Sequence, residues 1–238
     1  MSVFDDHARS YDQWYATPLG KHVDEVEARC AFDLLKPRKG MKVLDAGCGT
    51  GNFSLKMSRL GCNVTGIDLS KKMLAPAVEK ARSEGIRGNF RAMDMNTLES
   101  ADETFDAVIS RAALKFVDNS FGAAEEMYRA LKRGGNLVIG TINRPSPWEG
   151  LYREIGQKDG SVYHRAKFPC MEEMRRFKPG NLVSTSEYLS SDPIQTTMIS
   201  GPVKNSARAN RERGSSFARC GRNDHLPDFF YAYCKPKL

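Results

Sequence analysis

Short apolar runs that end on an acidic or polar residue recur along residues 41–143, and stretches with apolar positions three and four apart separate them. Met41–Asp45 (MKVLD) predicts a strand, Ala46–Gly51 (AGCGTG) a glycine turn, and Phe53–Leu60 a helix. The cycle repeats. Asn63–Ile67 predicts a second strand ending at Asp68, and Ser70 is placed to cap a helix through Glu84 with Met73, Leu74, Ala77 and Ala81 on one face. Asn89–Ala92 predicts a third strand, ending before Asp94, and Phe105–Ser110 a fourth. A helix from Ser120 to Arg133, closed by Gly134-Gly135, leads to a fifth strand at Asn136–Ile142. Strands alternating with helices in this way specify an α/β, Rossmann-like, doubly wound parallel sheet.

The flanks are less regular. Tyr11–Leu35 reads as two helices broken by Thr17-Pro18-Leu19-Gly20, docking as a preface to the sheet. Arg144-Pro145-Ser146-Pro147 stops the fifth strand, and a further helix starts near Trp148. Asn181–Leu189 and Phe229–Cys234 are the remaining strand candidates. No internal repeat is present, and Ser200–Asn223 is polar and Gly/Ser/Arg-rich enough to predict a mobile loop.

Composition narrows the class. The 238 residues are 40% hydrophobic and 27% charged, which excludes a fibre and a disordered tail. Asp5, Asp6, His7 and Arg9 leave no apolar leader, and no apolar run is long enough to span a bilayer, so a cytoplasmic address is expected. Six scattered cysteines without a CxxC pair read as reduced thiols, and Cys220 with His225 supplies only two ligands, so no metal is expected. The net charge of +7 is uneven: Lys204, Arg208, Arg211, Arg213, Arg219 and Arg222 face only Glu212 between 203 and 222.

The chemistry starts at the glycine turn. Gly permits positive φ and offers no Cβ to clash, so backbone N–H groups and a helix N-terminus can approach a ligand. Asp68 closes the next strand about 20 residues on, where a carboxylate can accept from two ribose hydroxyls, which points to a nucleoside. A dinucleotide fingerprint would need a glycine where Asn52 stands. Asp45 would repel a pyrophosphate but welcome a cationic amino group. A nucleoside joined to an amino acid therefore fits better than NAD.

These residues resemble the class I S-adenosylmethionine-dependent methyltransferases. The likeness runs from Phe4 to Asn143 and is carried by VLDAGCGTGNFS (43–54), GIDLS (66–70), FRAMDMNTL (90–98), FDAVISRAALKFV (105–117) and LKRGGNLVI (131–139). It implies S-adenosyl-L-methionine as cofactor and S-adenosyl-L-homocysteine as product. Gly47, Cys48, Gly49 and Gly51 would line its methionine part together with Asp45. Asp68 would hold the ribose diol, Leu69 would pack on adenine, and Asp94, with Met95 beside it, would accept from the adenine amino group. Ser110 and Arg111 would lie near the sulfonium. FDDHARSYDQWY (4–15) is similar to the lid helix of the ubiquinone/menaquinone-biosynthesis-like branch, in which Tyr11 would reach the cofactor while Trp14 and Tyr15 close the pocket. The implied fold is a single domain over 1–238: a helical lid (1–40), a cofactor core (41–143), a cap (144–180) and C-terminal strands with the basic loop (181–238). Its sheet would have seven strands, the last antiparallel.

No nucleophile-and-base motif is required, because methyl transfer from a sulfonium needs chiefly alignment and exclusion of water. Acceptors would bind beyond the carboxyl ends of the strands, where Asn143 and Trp148 are candidate contacts and Tyr163, His164 and Arg165 lie near. His164 is the one candidate base, although a lone histidine is more often structural. Trp148 would stack on a planar substrate or fill the gap beneath a cap helix. A small-molecule acceptor is the favoured reading. The rivals are an RNA or protein acceptor recruited by the 203–222 segment, a non-catalytic protein that only binds the cofactor, and, more remotely, a nicotinamide dehydrogenase.

Overall fold

The computed structural model describes residues 2–144, 146–176, 181–184 and 228–234, the last two spans as backbone. Five parallel strands, β1 (Lys42–Ala46), β2 (Asn63–Asp68), β3 (Asn89–Ala92), β4 (Phe105–Arg111) and β5 (Leu131–Ile142), lie in the order β3-β2-β1-β4-β5. Alternate residues of the central strands are apolar on both faces, so both faces must be covered. Val43, Val64, Ala107, Ile109 and Val138 pack on one side against Ala31, Leu34 and Leu35 of α2 (Pro18–Leu35) and Phe53 and Met57 of α3 (Asn52–Arg59). Leu44, Ile67, Val108, Leu137 and Ile139 pack on the other against Ala123, Ala124 and Met127 of α5 (Ser120–Ala130). α4 (Lys71–Ser83) buries the predicted Met73, Leu74, Ala77 and Ala81, and the Ser70 hydroxyl accepts from the Met73 N–H at 3.1 Å.

Two boundaries differ from expectation for identifiable reasons. The N-terminal break is a single residue: α1 (Tyr11–Ala16) stops at Thr17, and α2 begins at once with Pro18, because proline at a first helical position has its φ preset and needs no N–H partner. The Thr17 hydroxyl accepts from the Gly20 N–H at 3.0 Å. The helix expected to run to Arg133 ends at Ala130, and Leu131 already pairs with Phe105. Lys132–Gly135 then bulge out before Asn136 re-pairs with Ala107. Tertiary contacts override the helical pattern here. The Lys132 ammonium meets the Asp106 carboxylate at 2.8 Å, and a Cβ on Gly135 would lie 2.6 Å from the Asp106 carbonyl oxygen.

Beyond β5 come α6 (Pro147–Gly156), a 3-10 turn at Val162–Arg165 and α7 (Met171–Arg175). Trp148 is 2% exposed and packs with Val23 and Val26 of α2, Ile142 and Phe168. Of the two readings of Trp148, the structure shows the second: the indole fills the space between α2, the end of β5 and α6, and has no face left to stack on a substrate. Among the backbone spans, β7 (Asp228–Cys234) runs antiparallel along β5 from Asn136↔Cys234 to Ile142↔Asp228, and β6 (Asn181–Ser184) pairs with β7. The 203–222 basic segment and the stretch expected to extend that strand to Leu189 lie outside the described residues. No helix of the described residues is long and apolar enough to cross a membrane.

Because the Trp148 cavity is closed by three different elements, it cannot readily collapse. Trp148→Ala is expected to lower unfolding stability by about 3–5 kcal/mol, with Trp148→Phe costing less than half of that, measured by urea denaturation.

Candidate cofactor site

The turn after β1 doubles back over the ends of β2 and β4. Gly47, Gly49 and Gly51 all take positive φ, at 81°, 54° and 76°. The N–H groups of Gly47 and Cys48 donate to the Ile67 carbonyl at 2.8 and 2.9 Å, which ties the turn to β2. A Cβ at Gly47 would lie 2.2 Å from the Ala113 Cβ, and one at Gly51 2.7 Å from the Ala77 Cβ, so the turn touches the segment after β4 and the face of α4. Asp68 is built into this contact. One of its oxygens accepts from the Gly49 N–H at 2.9 Å and the other from the Ser70 N–H at 2.8 Å, which leaves each oxygen with acceptor capacity. Burial raises the Asp68 carboxyl above its ordinary range more than these two backbone bonds lower it.

Asp45 lies beneath the turn, 2% exposed, and accepts from the Ser54 hydroxyl at 2.6 Å. Burial pushes its carboxyl up to about 6, against the pull of Ser54 and of the nearby Arg111. The N-terminal helix α1 lies on the other side. Asp12 of α1 accepts from the Thr50 hydroxyl at 2.6 Å, the Asn52 amide at 3.0 Å and the Lys80 ammonium at 2.9 Å, bolting α1 to the start of α3 and the last turn of α4. Burial would raise the Asp12 carboxyl, but these donors hold it below its ordinary value. Nearer the N-terminus, the Ser70 hydroxyl donates to Asp5 at 2.6 Å.

Tyr11, Tyr15, Asp45, Gly47, Cys48, Gly49 and Arg111 converge on one cavity of about 30 Å³, together with Thr50, Asn52 and Phe53. The two tyrosine rings lie 5.6 Å apart and both line this cavity. Arg111 is not a surface charge. It pairs with Asp24 at 2.8 Å and Glu27 at 3.3 Å, both from α2, and its guanidinium lies 5.2 Å from the centre of the Phe53 ring. Burial raises the Glu27 carboxyl despite Arg111 and Lys115 nearby. The next residue, Ala112, takes φ 59° and its N–H donates to the Gly140 carbonyl, a strained conformation for a residue with a Cβ.

The other candidates are placed around this centre. Leu69 is 61% exposed beside Asp68, Asp94 is exposed with one oxygen accepting from the Asn96 N–H at 2.8 Å, and Met95 is half-buried under Gly47. Trp14 lies at the lid surface, edge-on to Tyr15. Ser110 is fully buried, with a hydroxyl that has no hydrogen-bond partner among the described residues, and Asn143 is buried where β5 ends. His164 is exposed in the 3-10 turn, its Nδ1 donates to the Ser161 carbonyl, and it lines neither described cavity, which removes the geometric reason to treat it as a base.

Residues 44–139 match the family model of the methyltransferase domain. A ubiquinone/menaquinone biosynthesis C-methyltransferase of Haemophilus ducreyi is 35% identical over 63% of this chain and 61% of its own length. A demethylmenaquinone methyltransferase of Bacteroides fragilis is 32% identical over 60% of each chain. Through this stretch the chain is similar to the methyltransferases. It spans about three-fifths of the length of these curated relatives. A Thermotoga maritima methyltransferase, a possible histamine N-methyltransferase, shares the fold at a TM-score of 0.68 and 21% identity over 98% of both chains.

The residues present fit the methyltransferase cofactor. A glycine cradle leaves room where side chains would otherwise stand, a buried carboxyl is available to a cationic amino group, and a second carboxyl beside an exposed leucine is available to a ribose and its base. Asp12, Asp24 and Glu27 were not singled out from the sequence. The signal available for the last two was their spacing of three on a helix beside the buried Val23 and Val26.

Asp45 gives the stability of this fold a pH signature. Its folded pKa is about 6, so the folded state holds a proton that the unfolded chain releases near 4. Its contribution to stability is full below about 4 and is lost as pH rises to about 6, a change of roughly 3 kcal/mol. Asp45→Asn is expected to flatten that part of the stability-pH curve in urea titrations between pH 4 and 7.

Proposed function

We propose that the protein transfers a methyl group from S-adenosyl-L-methionine to a small-molecule acceptor, leaving S-adenosyl-L-homocysteine. The observation that carries this is the placement of two carboxyls, Asp45 and Asp68, on either side of one glycine turn, with a lid bolted across it. When bound, the cofactor supplies an electrophilic methyl on a sulfonium, displaced in line by an electron pair of the acceptor. In this reading Asp45, ionised at neutral pH, holds the amino group, and Asp68 holds the ribose diol with the lone pairs that its backbone bonds leave free. Leu69 and Met95 cover the adenine, Asp94 accepts from its amino group, and Gly47, Cys48, Gly49 and Gly51 form the floor under the methionine part. Ser110 and Arg111 face the sulfonium end. Tyr11, Trp14 and Tyr15 move with α1 to admit the ligand and then close over it, which excludes water from the transfer.

Relatives named for ubiquinone and menaquinone biosynthesis support a small-molecule acceptor, and the reading includes a cytoplasmic address. A macromolecular acceptor would rest on the 203–222 segment, outside the described residues. Calorimetric titration is expected to show micromolar binding of S-adenosylhomocysteine, with Asp68→Ala weakening it at least tenfold and NADH failing to bind. No binding by a folded wild-type protein would overturn the proposal, and labelled methyl transfer into an extract fraction would separate the enzyme from a cofactor-binding protein without turnover.

A further inference from the structure

A second cavity, of about 460 Å³, lies beyond the ends of β4 and β5, between the start of α5 and the cap, with Leu114, Lys115, Phe121 and Phe168 in its lining. The exposed cations on it are matched within the protein: Arg144 by Glu173, Arg153 by Glu149, and Lys167 by Asp118. The cavity of about 30 Å³ under the glycine turn differs in kind. The charged residues that line it are one carboxyl, Asp45, and one guanidinium, Arg111, both withdrawn from solvent.

Each of these two groups lies in the field of the other, since Arg111 pulls the Asp45 carboxyl down against the effect of burial. Yet no ion pair joins them among the described residues. Arg111 pairs instead with Asp24 and Glu27 of α2, at 2.8 and 3.3 Å, and both pairs use Nη1. Nη2 and Nε keep N–H groups to donate. The two carboxylates and the Phe53 ring fix the guanidinium before a ligand arrives, so little side-chain freedom is lost on binding. Because the cavity is small, a ligand fragment that touches both residues must carry an ammonium and a carboxylate a few bonds apart. An α-amino acid has that arrangement. A guanidinium against the sulfonium itself would set two positive charges together, whereas the methionine carboxylate is only a short chain from the sulfur and suits a planar, two-bond donor.

We infer that Arg111 binds the α-carboxylate of the cofactor while Asp45 binds its ammonium, so that the site selects a ligand with an intact amino-acid zwitterion. The inference rests on the methyltransferase reading and deepens it. The test is calorimetric titration of the full chain with three probes: S-adenosylhomocysteine, its decarboxylated analogue, and methylthioadenosine, which keeps the nucleoside and sulfur but lacks the amino acid. The wild type is expected to bind S-adenosylhomocysteine at least tenfold more tightly than the decarboxylated analogue. Arg111→Gln is expected to bring that ratio below threefold and to leave methylthioadenosine within twofold of its wild-type affinity. Arg111→Lys keeps the charge that Asp24 and Glu27 require, so it should fold even if Arg111→Gln does not, and is expected to lower the ratio at least threefold because the two-bond fork is lost. Equal affinity for the first two probes in the wild type, a ratio unchanged in Arg111→Lys, or a variant that weakens all three probes alike would overturn the inference. Binding of S-adenosylhomocysteine and methylthioadenosine without dependence on the carboxylate would sink only the role of Arg111, whereas failure of both to bind a folded wild type would sink the methyltransferase reading.

Discussion

The approach of the β1–α3 turn to the ends of β2 and β4 is the constraint on which the remaining structure depends. It requires the absence of a Cβ at Gly47, where Ala113 stands, and at Gly51, where Ala77 stands, and it requires positive φ at both. Once the turn is seated, the Gly49 N–H finds Asp68, the last residue of β2, and the carboxyl that braces the turn is also the one that faces the sheet's open end. Asp45 is sealed beneath it, which is why its proton affinity rises. The lid depends on the same turn, since the Thr50 and Asn52 side chains that Asp12 grips belong to it.

Much of this was legible in the sequence wherever the signal is local. A buried parallel strand must be apolar on both faces, so MKVLD, NVTGI and FDAVIS declared themselves, and the cradle followed because glycine, strand end and helix start are contiguous. Contacts that join distant segments left no such mark. Asp24 and Arg111 are separated by 87 residues, and Asp12 and Lys80 by 68; nothing in either neighbourhood names the other. The end of α5 was misplaced for a related reason. LKRGG is acceptable as a helix end by propensity, and only the pairing of Leu131 with Phe105 and of Lys132 with Asp106 makes it strand and bulge. Trp148 posed a choice between substrate platform and core, which depends on whether α2 and Phe168 cover it, as they do.

The charge cluster under α2 has an energetic consequence. Arg111 and Lys115 lose hydration when buried, and carboxylates that compensate them must be buried too, each at a cost of several kcal/mol before pairing. Replacing such a network by apolar residues of equal volume is often neutral or stabilising. Fold stability alone therefore does not account for Asp24, Glu27, Arg111 and Lys115 lying together. Together they place a fixed electrostatic field between the two cavities, with Arg111 lining one and Lys115 the other.

That field sits within a continuous line of aromatic contacts. Tyr15 meets Tyr11 at 5.6 Å, Tyr11 meets Phe4 at 6.2 Å, Phe4 meets Phe116 at 4.8 Å, Phe116 meets Tyr163 at 5.8 Å, and Tyr163 meets Tyr152 at 4.4 Å. The line begins on the lid and ends on the cap, with Lys115 over its last three rings. Each such ring pair contributes about 0.5–1.5 kcal/mol, so α1 cannot swing away from the glycine turn without giving up the Tyr11–Phe4 contact that joins it to the rest of the line.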